Sequence, residues 1–110
     1  MPFVRGDVYR FHRRAPSGHE VRGHRFAVVV HASRLDHLST WIVAPTSTTE
    51  RAAPAVFRPE VTLLKEDSRV LCEHLTAVDP ERLGPSVGYL SHAEMTSIDL
   101  ALRLLLDLAP

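Results

Sequence analysis

The sequence predicts an α+β, mainly β domain: a small, strongly curved antiparallel sheet or open barrel with one helix packed on it. Three observations predict it. Short strand-like runs follow one another with turn residues between them, helical periodicity is confined to the C-terminal stretch, and 110 residues suffice for one compact core, so residues 1–110 are expected to form a single domain.

The elements follow in order. Val8 to His12 reads as a strand, and Arg13 to Gly23 as a polar loop containing Pro and Gly. Phe26 to His31 is valine-rich, as a strand buried on both faces would be. Ala32 to Ser39 is polar and interrupted, a connection with room for a short turn. Trp41 to Pro45 is the next strand, and the hydroxyl run Thr46, Ser47, Thr48 and Thr49 is expected at its end. Ala55 to Phe57 and Val61 to Leu64 are short strand candidates, with Pro59 marking a sheet edge or bulge. Val70 to Leu75 reads as a stronger strand. Asp79, Pro80 and Gly84 fit the cap, first-turn and terminal preferences of one helical turn over Asp79 to Leu83, and a short stretch leads on to Tyr89. Ser91 and Glu94 then form a capping box, after which Met95, Ile98, Ala101, Leu102, Leu105 and Leu108 recur at helical spacing. Asp99 and Arg103 are spaced as an i,i+4 pair on its polar side. Leu100, Leu104 and Leu106 widen the apolar stripe beyond what one sheet would cover, which points to a second subunit.

Thirteen basic and thirteen acidic residues cancel, so broad electrostatic adhesion to nucleic acid is not the main device of this chain. The single cysteine, Cys72, cannot form an internal disulfide, and no signal-peptide pattern opens the sequence. A cytoplasmic setting follows as the expectation. No apolar run approaches the roughly 20 residues a membrane-crossing helix needs, so no membrane association is expected.

Candidate chemistry is sparse. His19, Glu20 and His24 give H-E-x-x-x-H, one residue longer than the zinc-protease spacing, and Gly23 opposes the helix such a site requires. The seven histidines, His12, His19, His24, His31, His37, His74 and His92, lack ligand-like pairing and read mostly as surface residues. No metal or other cofactor is expected. Cys72 sits in an apolar pattern and reads as core. Arg5, Arg10, Arg13, Arg14, Arg22 and Arg25 concentrate near the N-terminus, but from composition alone a solvated face explains that clustering better than a phosphate-binding surface does.

Ordered blocks along nearly the whole chain resemble the MazF/PemK toxins. They are Arg5-Gly6-Asp7-Val8-Tyr9, then Gly18-His19-Glu20 and Gly23-His24-Arg25 running into Phe26-Ala27-Val28-Val29-Val30. Val43-Ala44-Pro45-Thr46-Ser47 follows, then Cys72-Glu73-His74-Leu75 and Val78-Asp79-Pro80-Glu81-Arg82-Leu83. The resemblance implies an SH3-like open antiparallel barrel of the CcdB/PemK type with a C-terminal helix. It also implies a type II toxin-antitoxin toxin: a sequence-specific, metal-independent endoribonuclease cleaving single-stranded RNA, usually messenger RNA. The ribose 2'-hydroxyl would attack the adjacent phosphate, giving 2',3'-cyclic phosphate and 5'-hydroxyl ends. A homodimer and a cognate MazE-like antitoxin are the implied partners.

Residue by residue, Arg25 matches the family's catalytic arginine, whose guanidinium suits phosphate oxygens. Thr46 most nearly matches the active-site threonine, with the adjacent Ser47 in that role if the alignment shifts by one. Glu73 sits where some family members carry an acidic residue proposed as proton acceptor, and Glu20 is another carboxylate of the family pattern, so either is a candidate base. Arg22, His24, Ser47, Thr48 and His74 are the expected substrate contacts, and Glu50 to Ala53 joins the first loop as a candidate lining of the RNA groove. Two positions depart from the pattern: Phe26 stands where proline is common, and His74 where glutamine is common. Two other readings remain. A CcdB-like gyrase inhibitor would end in tryptophan-glycine-isoleucine, whereas this chain ends Leu108-Ala109-Pro110; an SH3-like binding module without activity would leave the matches at Arg25 and Thr46 unexplained.

Overall fold

The computed structural model describes residues 3–11 and 26–109. Among the described residues, seven strands are followed by one long helix: β1 (Asp7–Phe11), β2 (Phe26–Val29), β3 (Trp41–Thr48), β4 (Glu60–Leu63), β5 (Glu66–Val70), β6 (Thr76–Val78), β7 (Leu83–Tyr89) and α1 (His92–Leu106). Single 3-10 turns at Ser33–Leu35, Cys72–His74 and Pro80–Arg82 link them. The sheet order is β4-β5-β3-β2-β1-β7, with β6 pairing β3, and every described pairing is antiparallel. The expected mainly β architecture with a terminal helix is therefore the one observed.

Two apolar cores form on opposite sides of the central strands because adjacent residues alternate in direction. Val28, Ala44, Val70 and Cys72 meet Ile98, Ala101 and Leu102 of α1 in the first. Ala27, Val29 and Val43 join Phe3, Phe11, Trp41 and Val78 in the second. β2 contributes to both, and all four of its residues are buried, as its unbroken apolar run requires.

The Arg5-Gly6-Asp7 block is a structural clamp. Gly6 donates to Val29 O (2.8 Å) and accepts from Leu90 N (3.0 Å). Its φ of +100° and the Met95 Sδ that an added Cβ would meet at 3.3 Å both demand glycine. Arg5 donates from Nε to Val30 O (2.8 Å) and pairs through Nη2 with Asp99 (2.7 Å), tying the end of β2 to α1. Asp99 thus finds a partner far along the chain, not the expected Arg103 one turn on.

The capping box forms as read. Glu94 N donates to Ser91 Oγ (3.1 Å), and Ser91 N donates to Glu94 Oε1 (2.9 Å). Glu94 Oε2 accepts from Thr62 N (3.2 Å), so the cap also serves a backbone donor of edge strand β4. Pro59 precedes that edge strand, as its missing N–H allows.

Four expectations are corrected. The strand expected over Trp41 to Pro45 is longer: β3 continues through Thr48 and pairs β5 there, so Thr46, Ser47 and Thr48 form its end. Ala55 to Phe57 is not a strand; Val56 and Phe57 lie in a turn closed by Arg58 N donating to Ala55 O (2.9 Å). Val70 to Leu75 is not one strand: β5 ends at Val70, and Cys72–His74 forms a 3-10 turn. The stretch leading to Tyr89 is itself strand β7. Polar β5 (EDSRV) escaped notice because only Ser68 and Val70 are buried, which leaves little apolar alternation.

Candidate active site

Arg25, Glu20, Arg22 and His24 lie outside the described residues, as do the Arg13 to Gly23 loop and the H-E-x-x-x-H spacing. The other candidates converge where β3 crosses from β2 to β5. On one side of β3, Ala27 pairs Pro45; two residues further along, Ser47 pairs Arg69 of β5. Phe26 is the first residue of β2, and Arg25 directly precedes it in the sequence.

The register separates the two hydroxyl candidates. Thr46 pairs Val70 and shares its face of β3 with Ala44, so it lies on the side of the first core. Ser47 pairs Arg69 and shares the opposite face with Pro45. Both residues are buried, and neither hydroxyl has a hydrogen-bond partner among the described residues. Thr48, half-buried, pairs Ser68, and its carbonyl accepts from Arg51 N (3.1 Å) and Ala52 N (3.0 Å) to start the following turn. That turn contains Glu50 to Ala53, of which only Ala52 is buried.

The segment after β5 brings in the carboxylate. Leu71 N donates to Pro45 O (2.8 Å), anchoring the 3-10 turn against β3. Cys72 enters the first core, while Glu73 and His74 are half-buried. Burial, followed by the Glu73 charge, pushes the Cys72 thiol up to about 12, which suits a packing residue and not a nucleophile.

Arg58 was missed from the sequence. Its Nε donates to Glu73 Oε2 (2.6 Å), its Nη2 lies 2.5 Å from the same oxygen, and its Nη1 donates to Ala53 O (3.0 Å). One guanidinium thereby fixes both the carboxylate and the loop leading into β4. Glu73 Oε1 is buried without a hydrogen-bond partner among the described residues. The signal was weak in the sequence, since an arginine in a loop 15 positions before a glutamate has no helical or strand spacing to mark it.

The basic N-terminal cluster divides by role. Arg5 serves the clamp, whereas Arg10 is exposed and lays its guanidinium carbon 5.5 Å from the Phe26 ring centre. His31 is buried, contrary to a surface reading, with Nε2 2.8 Å from Leu35 O and Nδ1 accepting from Ile42 N (3.3 Å). Among the described residues, no group of three His, Cys, Asp or Glu side chains is arranged to hold a metal, and no helix is long and apolar enough to cross a membrane.

The sequence pattern of the family described as PemK-like, MazF-like toxin of type II toxin-antitoxin system matches residues 4–106. A Mycobacterium tuberculosis protein assigned as a toxin is 36% identical over 107 residues, covering 96% of this chain and 98% of its own. The endoribonuclease MazF9 of the same organism is 29% identical over 113 residues, covering 94% and 96%. The structure of M. tuberculosis toxin MazF-mt6 superposes with a TM-score of 0.75 over 94% of this chain and 99% of that one, at 19% identity, a likeness of fold. Because the family pattern spans the clamp, the β3 hydroxyls, the Glu73 turn and the capped helix alike, the chain belongs to the MazF/PemK family of type II toxins.

Proposed function

We propose that this toxin is a sequence-specific, metal-independent endoribonuclease that cleaves single-stranded RNA, messenger RNA in particular, in the cytoplasm. The observation that carries the reading is the pair of buried, unpartnered oxygens, Ser47 Oγ and Glu73 Oε1, flanking the strand pair that begins just after Arg25. Buried polar atoms without partners are uncommon, and a substrate that supplies the missing partners accounts for them.

In this reading the RNA carries its own nucleophile. Glu73 Oε1 takes the proton from the 2'-hydroxyl, the 2'-oxygen bonds to phosphorus, and the bond from phosphorus to the 5'-oxygen breaks as that leaving oxygen takes a proton from Arg25 or from solvent water. Arg25 neutralises the charge that builds on the phosphoryl oxygens. Glu20 is the other candidate acceptor. Ser47 is the hydroxyl we assign to the phosphate, because the register turns it away from the side on which Thr46 joins Val70 and Ala44. Thr46 then acts through packing. Arg22, His24, Thr48 and His74 border the substrate. The active form is a homodimer, and a cognate MazE-like antitoxin restrains it, an acidic, flexible tail being able to use the cations that otherwise hold phosphates.

The deciding experiment incubates the purified protein with a long RNA in excess EDTA and maps the new ends. Discrete cuts with 2',3'-cyclic phosphate and 5'-hydroxyl termini are expected. A 2'-deoxyribose on the 5' side of the cut should abolish cleavage and spare binding. Cleavage of that substrate at an unchanged rate, or a requirement for added Mg²⁺ or Zn²⁺, overturns the mechanism.

A further inference from the structure

The outward face of the β4-β5-β3 ladder carries three polar side chains in a row that spans neighbouring strands. Glu60 pairs Arg69, and Arg69 pairs Ser47, so all three stand side by side on one face. Arg69 Nη2 lies 2.8 Å from Glu60 Oε1; the arginine side chain is only 12% exposed, whereas that of Glu60 is 61% exposed. Arg69 Nε and Ser47 Oγ are both buried without a hydrogen-bond partner among the described residues. Ser47 itself is 1% exposed. A shielded guanidinium N–H beside a shielded hydroxyl is an unsatisfied pair of donors, and both suit the same acceptor, an anionic oxygen.

We propose that Arg69 binds a phosphate of the RNA next to Ser47, and that Glu60 is an exchangeable occupant of that guanidinium, displaced when the phosphate arrives. This rests on the ribonuclease reading and names a further substrate contact within it. Adjacent strands lie about 4.8 Å apart, so the Arg69 side chain stands one strand from the hydroxyl assigned to the scissile phosphate, on its β4 side. Its planar fork matches phosphate as well as it matches a carboxylate. Glu60 is well suited to leave, because an ion pair with one largely exposed partner contributes little to stability.

Opposite signs for the two partners distinguish this from a structural ion pair. Binding of a mixed-sequence RNA with 2'-fluoro riboses, which cannot be cut by its own 2'-hydroxyl, is measured by fluorescence anisotropy across a salt series. Glu60→Gln should tighten binding by about 3- to 10-fold, since it removes a competitor and a repulsive charge. Arg69→Gln should weaken it by about 10-fold and flatten the salt slope by about 0.7, the contribution of one phosphate on a single strand. Adding Glu60→Gln to Arg69→Gln should bring a much smaller gain, because only the repulsive charge, and no competitor, is then removed. Arg69→Lys, which keeps the charge without the fork, should fall between wild type and Arg69→Gln; it serves as the test if Arg69→Gln fails to fold. If wild type neither binds nor cuts RNA, the ribonuclease reading falls and this inference with it. If wild type binds and cuts but Glu60→Gln binds no better, or loss of the arginine leaves the salt slope unchanged, the inference alone is overturned.

Discussion

Arg58 grips Glu73 by a single oxygen: its Nε and Nη2 both reach Oε2, at 2.6 and 2.5 Å, and Oε1 is left facing elsewhere. One carboxylate thus has a paired oxygen and a second, buried oxygen with no hydrogen-bond partner among the described residues. Arg58→Ala should destabilise the domain by about 1–3 kcal/mol, below the 3–5 kcal/mol typical of a fully buried pair because water still reaches both side chains. Urea unfolding measures this. In a double-mutant cycle, adding Glu73→Gln to Arg58→Ala should recover part of the loss, since the stranded charge disappears. Strict additivity of the two would show that the pair is not coupled.

Arg25→Ala should lower RNA cleavage by about 100- to 1,000-fold, the usual loss for one charge-stabilising donor, and should relieve growth arrest in cells. Circular dichroism and unfolding should match wild type. A folded Arg25→Ala protein cutting at wild-type speed would remove Arg25 from the chemistry.

Alkaline pH should weaken the fold through Cys72. Its thiol rises from an ordinary 9.0 to about 12 on folding, mainly by burial and then by the Glu73 charge. Between those values the folded state holds a proton that the unfolded state has lost, so the contribution is intact below pH 9.0 and is lost as pH climbs towards about 12. The slope is at most about 1.4 kcal/mol per pH unit. Tyr9, raised by burial and then by Asp7, adds to the same trend. Cys72→Ala should flatten the dependence, and iodoacetamide at pH 8 should label wild type in urea but not the native protein.

What could be read from the sequence divides by range. Local signals were legible: the Ser91–Glu94 capping box, the Asp79-Pro80 turn, whose Asp79 Oδ1 accepts from Glu81 N (2.9 Å), and the doubly buried β2 all form as their residues dictate. Signals that depend on pairing partners were not. β7 carries Gly84, Pro85 and Gly88 and is mostly exposed, so only its ladder with β1 makes it a strand. At the site, the family resemblance could nominate Thr46 and Ser47 together, but only the register with Val70 and Arg69 shows that they face opposite sides of β3. Arg58, Arg69 and Glu60 acquire meaning only from residues distant in sequence or across a ladder.

The end of α1 stores a removable strain. Asp107 has φ 54° and ψ 44°, a left-handed conformation that β-carbon-bearing residues resist and glycine accepts. Its carboxylate also lies at the negative end of the helix dipole. Asp107→Gly should therefore stabilise the protein by about 0.5–1 kcal/mol, read as a higher urea midpoint at unchanged slope. No gain, or a loss, would mean that the side chain makes a compensating contribution.

Leu100, Leu104, Leu106 and Leu108 are all more than half exposed, although Ile98, Ala101 and Leu102 of the same helix reach the core. Leu100 and Leu104 stand one turn apart, on a side of α1 that its own sheet does not cover. An apolar strip of this kind is costly to leave in water and is the usual mark of an interface. A second copy is the natural occupant under the homodimer reading, because a two-fold axis lets the same strip meet itself. Sedimentation equilibrium at micromolar concentration should therefore give twice the chain mass, and Leu104→Glu should shift the distribution towards monomer without lowering the helix content. RNA cleavage per chain should fall along with dimer content if the substrate lies across the seam. A wild-type protein that remains monomeric throughout this range would refute the homodimer and leave the leucine strip to another partner.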